Sequence, residues 1–488
     1  MPTPLTRRHF LGLGASAALI AGSRPLLHGA DASRLRSPSG ELRVAVVGLR
    51  IKGNQHCDQL RETKHARLVA ICDADTAIMG ATAERLDRDG VKVDQVQDFR
   101  RLLDRTDIDA VIIATPNHLH TLQTLLAVQA GKDVYVEKPV SHTIEESRVL
   151  TAAARRSDRI IAAGTQKRSD PGLVEALAAL HAGELGAIKL VRGFCYKLRK
   201  PIGLVSQPVE VPSTVDLDLF CGPAPLERPV RERFHYDWHW QWVTGNGDIG
   251  NQGIHELDLC RLALGEAGRP RRVLSFGGRF GPADNGETPN TQFAWFDYPS
   301  APMLFEVRGL PRATGSEAED AYRGVRVGIV VDCEGGTMIG GNGASFLDAA
   351  GNRVRRFPGD GGRGHLQNFV DAALARKPDQ LAAPVGESAI SADLIHFANL
   401  AYRSGQPLKP DAIGERLQSL PSAAEAFGSL REHLAANQAD TGRPPWQLGG
   451  WLEWSETAGR FAGGAQYEQA NSLISRSYRA PWVLPKLA

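Results

Sequence analysis

The chain has 488 residues, enough for two domains with sizeable cores, and its 42% hydrophobic and 23% charged content is that of an ordinary globular protein. A formal net charge of +2, with no Lys/Arg stripe interleaved with aromatics, removes the electrostatic case for a nucleic-acid partner. The six cysteines (Cys57, Cys72, Cys195, Cys221, Cys260, Cys333) lack CxxC or CxxH spacing; they read as packed free thiols, with neither disulfide nor metal site expected.

Residues 1–40 read as an export signal and linker. Thr6-Arg7-Arg8-His9-Phe10-Leu11 precedes an apolar stretch, Leu11 to Ala21, too short to span a membrane and built like a signal h-region. The paired arginines resemble a twin-arginine export signal, which implies the twin-arginine machinery as a partner and a periplasmic destination. The small-residue run Gly29-Ala30-Asp31-Ala32 offers a cleavage site; a disordered basic tail is the alternative. No later segment holds 18 continuous apolar residues, so no membrane span is expected.

From Leu42 the pattern changes. Residues 42–47, 68–72, 110–114, 133–136 and 160–163 are short apolar runs alternating with helical stretches. Strands apolar on both faces, separated by helices, predict an α/β, doubly wound parallel Rossmann sheet over residues 41–165. In residues 166–408, helices near 172–180 and 248–264 lead into strands at 273–278, 291–296, 303–307 and 324–331, then helices at 366–375 and 388–403. Consecutive strands predict a second α/β domain whose mainly antiparallel, open sheet covers a pocket. Residues 409–488 form an extension, and its tail from Thr441, rich in Gly, Trp and Pro, is expected to wrap the surface.

The first strand ends in Gly48-Leu49-Arg50-Ile51-Lys52-Gly53, where a dinucleotide-binding turn would carry GxGxxG. Gly48 and Gly53 supply the tight turn and the close helix approach. The middle position is Arg50, whose charge either crowds or offsets a pyrophosphate. Asp73 ends the second strand, placed to bind ribose hydroxyls and to repel a 2′-phosphate, which points to NAD rather than NADP. A solvated strand-end aspartate is the bland alternative. Thr115-Pro116-Asn117-His118-Leu119-His120 follows another strand; Thr115, Pro116, Asn117 and His120 are assigned to the nicotinamide side, with Asn117 read equally well as a helix N-cap.

Glu137-Lys138-Pro139 closes the strand at 133–136. A lysine there is costly to desolvate without a partner or a task, and the proline stops the strand. Downstream, Asp248, Asn251, His255 and Asp258 are spaced 3, 4 and 3, which on one continuous helix aligns them on a single polar face. The stripe reads as the wall of a polar cavity, against the alternative of a satisfied network around a core histidine. Phe234-His235-Tyr236-Asp237-Trp238-His239-Trp240 offers aromatic platforms with polar tips suited to sugar rings, and Gln166 is placed to reach the same pocket.

Taken together, the glycine turn, Ala114-Thr115-Pro116-Asn117-His118, Glu137-Lys138-Pro139 and Gly253-Ile254-His255-xx-Asp258 resemble the glucose–fructose oxidoreductase / inositol dehydrogenase (Gfo/Idh/MocA) family. The resemblance implies a small-molecule carbohydrate substrate, NAD as cofactor, Lys138 and His255 as the acid–base pair, and Glu137 and Lys138 beside the nicotinamide. It implies a homo-oligomer, dimer or tetramer, formed through the open face of the second sheet. Asn251 departs from the aspartate that the family often carries there: either His255 works with Lys138 alone, or Asp248 or Asp237 supplies the carboxylate. Asn251, Asp248, Gln166, Asp237, Trp238 and His239 form the expected substrate set. Three functions follow in order: a sugar oxidoreductase holding its cofactor tightly, a redox-neutral NAD-dependent glycoside hydrolase, and a non-catalytic NAD-binding protein.

Overall fold

The computed structural model describes residues 40–439, 446–462 and 465–485. The twin-arginine segment and its cleavage region lie outside these. Strands β1 (Leu42–Val47), β2 (Ala66–Cys72), β3 (Asp94–Val96), β4 (Ala110–Ile113), β5 (Asp133–Val136) and β6 (Ile161–Ala163) form one parallel sheet in the order β3-β2-β1-β4-β5-β6. Only β3 escapes the sequence reading, because it is three residues long and largely exposed at the sheet edge. The order reverses between β1 and β4, so the strand ends open a crevice there, the usual ligand position of such sheets.

Both faces of this sheet are buried, and the second half of the chain supplies part of the cover. Leu366, Phe369 and Val370 of helix His365–Ala375 pack with Val44, Val46 and Ile112 on one face. Val385, Ala389 and Ala392 of helix Val385–Arg403 pack with Val47, Ile113 and Val136 on the other. The boundary at residue 165 is therefore not a packing boundary. A helix's apolar spacing states that it needs a sheet, not which sheet it will find.

A second sheet of 12 strands is built around β7 (Ile188–Tyr196), which pairs parallel with Met303–Arg308 and antiparallel with Val327–Cys333. Alternation along its strands divides two cores. Ala294, Phe296, Met303 and Phe305 face the helices, whereas Phe293, Trp295 and Leu304 face the other way. That opposite face is not bare: Ile413, Leu417, Phe427 and Leu430, from helices Pro410–Leu417 and Pro421–Ala436, cover it. Association of copies through this part of the sheet would require displacing the chain's own helices.

The tail also departs from a surface wrap. Trp446–Leu448 and Leu452–Ser455 pair with strand Arg272–Gly278 and extend the sheet. Trp446 is fully buried among aromatic rings, so its apolar area is what draws the segment inward. All six cysteines are buried free thiols. Among the described residues no helix is long and apolar enough to cross a membrane, and no cluster of three or more His, Cys, Asp or Glu could hold a metal ion.

One buried ion pair braces the second domain beside the cleft. The Arg168 guanidinium donates to both Asp258 oxygens at 2.8 and 2.7 Å, and Ser391 Oγ donates to the same carboxylate at 2.6 Å. Burial alone would raise the Asp258 carboxyl, but Arg168 outweighs it and the net shift is downward. The pair therefore stabilises the fold above the ordinary carboxylate range and is lost only as pH falls through the depressed value. Asp258→Asn should lower unfolding free energy by about 3–5 kcal/mol, because Arg168 is left buried without a counter-charge. A urea midpoint unchanged at neutral pH would contradict this.

Candidate active site

At the carboxyl ends of β1, β2, β4 and β5 lies a cleft of about 350 Å³, within the range of small-molecule sites. Gly48 makes its floor possible. The residue has φ +85°, and a Cβ there would sit 2.8 Å from the Ala114 carbonyl and the Thr115 nitrogen. At Gly53 a Cβ would lie 1.7 Å from the Gly48 oxygen, so helix α1 (Ile51–Glu62) presses directly on the turn. The first turn of α1 carries no acidic residue and is capped by Arg50, which lines the cleft. The helix N-terminus and this cation together suit a pyrophosphate.

Asp73 accepts the Leu49 N–H at 2.7 Å and the Asp75 N–H at 3.0 Å, and burial pushes its carboxyl up. Each oxygen keeps a lone pair for a ribose hydroxyl. Thr115 and Pro116 line the cleft as expected. His120 lines it too, but its ring nitrogens lie 2.7 Å from the carbonyls of Thr115 and Pro139, so it pins two loops together. Asn117 turns away: its Nδ2 donates to Asn246 Oδ1 at 2.6 Å, and Pro116, not Asn117, caps the following 3-10 turn. Asn117 is thus a tie between the two halves, corrected from both roles the sequence suggested.

Lys138 sits at the cleft wall, and its Nζ donates to the Asn251 carbonyl at 2.7 Å. Burial lowers its pKa from the ordinary lysine value of 10.5, against the pull of neighbouring Glu137. Glu137 is itself buried and accepts from His56 Nε2 at 2.8 Å, with Lys52 Nζ at 3.6 Å. Desolvation opposes its ionisation, yet Lys52 and His56 outweigh it and hold the carboxyl well below its usual range. Glu137 is therefore an anchored anion that positions Lys138's strand end.

The expected polar stripe is broken in two. Helix Gly247–Asn251 stops, and Ile254–Leu264 restarts after Gln252 and Gly253. A Cβ at Gly253 would lie 2.8 Å from the Ile249 carbonyl and from the Phe305 ring, so the chain bends where those groups crowd it. Asp248 is wholly buried and taken bidentately by Arg199 at 2.8 and 2.6 Å, with Asn251 Nδ2 at 3.3 Å. Asp237 is buried and bonded to Arg233 Nε at 2.8 Å. Neither carboxylate is free to replace the aspartate that Asn251 lacks.

His255 is 7% exposed, and its Nδ1 has no hydrogen-bond partner among the described residues. Burial, reinforced by Lys138 and Lys167, pushes its pKa well below 6.5, so the imidazole is neutral. His239 Nε2 and Gln166 Oε1 are likewise buried and unpartnered. Trp238 and Asn251 line the cleft, whereas Asp248, His255, His239, Gln166 and Asp237 stand outside its wall.

Sequence reading missed several cleft residues. Lys197, Arg199 and Gln252 enter from the segment just after β7 and from the helix break. Trp482, from the C-terminal tail, also lines the cleft, donates Nε1–H to Asp218 at 3.1 Å and packs under the Arg100 guanidinium at 4.5 Å. Arg479 donates to Asp218 at 2.5 Å and to the Gly222 carbonyl at 2.8 Å, so the tail is fastened to the short helical segment beside the cleft. Each is far in sequence from the turn it meets, and no local pattern marks it.

Residues 42–165 match the family model described as "GFO_IDH_MocA: Oxidoreductase family, NAD-binding Rossmann fold". The first domain is thus an NAD-binding Rossmann domain similar to that of the Gfo/Idh/MocA oxidoreductases, and its glycine turn and Asp73 fit that likeness. An inositol 2-dehydrogenase of Saccharopolyspora erythraea is 32% identical over 180 residues, covering 36% of this chain and 51% of that one. Another, from Rubrobacter xylanophilus, is 31% identical over 236 residues, covering 48% and 64%. The chain thus spans about half the length of the first of these relatives. A levoglucosan dehydrogenase solved with NADH and L-sorbose shares the fold at TM-score 0.55 and 17% identity, over 73% of this chain and 96% of that one.

Proposed function

We propose that this protein is an NAD-dependent oxidoreductase that moves a hydride between a carbohydrate hydroxyl carbon and nicotinamide, and that it holds its cofactor tightly. The observation that carries the reading is the Lys138 amine, kept low in pKa at the wall of a dinucleotide cleft. The inositol dehydrogenase relatives and the sorbose-bound neighbour support a carbohydrate as substrate. NAD, when bound, supplies the hydride acceptor. Lys138 takes the hydroxyl proton, with its ammonium form returned to the Asn251 carbonyl. His255, neutral and with Nδ1 unpaired, stands behind the cleft wall, where its role is to relay the proton.

The fastened tail beside the cleft supports cofactor retention. Retention suits an enzyme exported folded, which the Arg7-Arg8 segment suggests, since a compartment without an NAD pool requires the cofactor to be regenerated on the protein. Redox-neutral glycoside hydrolysis is the second reading and shares this requirement. Absorbance of purified, untreated protein tests both: a reduced-nicotinamide band that disappears on adding a keto sugar is expected. Cofactor-free protein that turns over only with added NAD would refute retention, and protein that never reduces NAD with any polyol or sugar would refute the oxidoreductase.

Asp73 sets the expected preference for NAD. Asp73→Ala should narrow the ratio of NAD to NADP affinity about tenfold or more, since the carboxylate that repels a 2′-phosphate is gone. Titrating both dinucleotides measures it, and an unchanged ratio would remove Asp73 from that role.

A further inference from the structure

We propose that the substrate carries a carboxylate and that Lys197 is the residue that selects it; this rests on the oxidoreductase reading. The charges around the reacting end are matched in pairs except at two lysines. Lys52 faces Glu137 at 3.6 Å, Lys167 faces Glu256 at 2.7 Å, Arg168 faces Asp258 at 2.7 Å and Arg199 faces Asp248 at 2.6 Å. Lys138 and Lys197 have only uncharged oxygen partners among the described residues: the Asn251 carbonyl at 2.7 Å and Gln252 Oε1 at 3.3 Å.

The two play different parts. Lys138 is the cleft-wall amine, bonded to the Asn251 carbonyl, whose lowered pKa suits proton transfer. Lys197 is half-buried, lines the cleft, and follows directly on β7, where its backbone N–H is held by the Arg308 carbonyl at 3.2 Å. Its side chain reaches Gln252, the neighbour of the residue that receives the Lys138 ammonium. A fixed cation without a counter-ion, in a partly desolvated cleft, favours an anion over a neutral hydroxyl.

The same geometry decides which anion. Phosphate and sulfate are best held by a guanidinium fork, and the nearby fork of Arg199 is already filled by both oxygens of Asp248. One ammonium beside one neutral amide, with the Arg199 fork not free to share a dianion, favours a single negative charge, and the substrate class we assign is a sugar acid. Arg50 and the N-terminus of α1 are the groups that would hold a cofactor pyrophosphate, which leaves Lys197 for the substrate.

Calorimetry on NAD-loaded protein at low salt, with glucose, galactose and mannose each paired with its uronate, tests this. At least one uronate should bind about tenfold more tightly than its parent hexose, with the advantage shrinking as salt is added. Lys197→Gln should bring the ratio near unity, and Lys197→Arg should keep it. The inference fails if no uronate outbinds its hexose, if the preference survives Lys197→Gln, or if Lys197→Gln weakens NAD itself. Titrating NAD alone separates the levels: protein that binds NAD without preferring uronates refutes only this inference, while protein that does not bind NAD refutes the function it rests on as well.

Discussion

Replacing Lys138 by alanine should lower the rate of hydride transfer by about 10²–10⁴-fold while NAD still binds, because the proton acceptor is lost and the cofactor's own contacts are not. The control is Lys138→Gln, which keeps a donor for the Asn251 carbonyl but has no basic amine. If glutamine restored activity, the lysine would be a positioning residue and the acid–base assignment would be wrong. The pH dependence carries the same signature. Sugar oxidation needs the neutral amine, and burial lowers the Lys138 pKa from 10.5, so the rate should rise with pH and level off below that value. The Lys138 variants should lose that limb. His255 is neutral throughout this range, because its pKa lies well below 6.5, and should add no second limb near neutrality.

Trp482→Ala should raise the Kd for NAD by about 10- to 100-fold and yield protein that loses its dinucleotide during purification. The indole lines the cleft, with its N–H held by Asp218 and its face under Arg100. Arg479→Ala releases the same tail from Asp218 and Gly222 without touching the cleft, and should speed dissociation in the same direction. Dissociation rates measured by displacement distinguish a strap from a wall: if only Trp482→Ala has an effect, the tail is a passive surface. An unchanged Kd in both variants would remove the structural support for cofactor retention.

These two residues show where sequence reading works and where it stops. Lys138 is legible because its setting is local: an apolar strand, a proline and a charge at the strand's end lie within seven residues. The same holds for Gly48, Gly53 and Asp73, whose roles follow from one strand–turn–helix unit. Trp482 is not legible, since nothing near it in sequence states that it will meet Asp218. The polar residues from Asp248 to Asp258 lie between these cases. Their spacing is correct for one helix face, but crowding at Gly253 splits the helix, and distant arginines claim Asp248 and Asp258.

By itself the sequence determined the parallel sheet, the turn that receives a dinucleotide and the lysine at its edge, because backbone preference and burial period act over a few residues. Tertiary structure decided which carboxylates are free, which cations are left over and what lines the cleft. Those outcomes depend on charges and aromatic area that meet only after the chain has folded, across separations such as the 264 residues between Asp218 and Trp482.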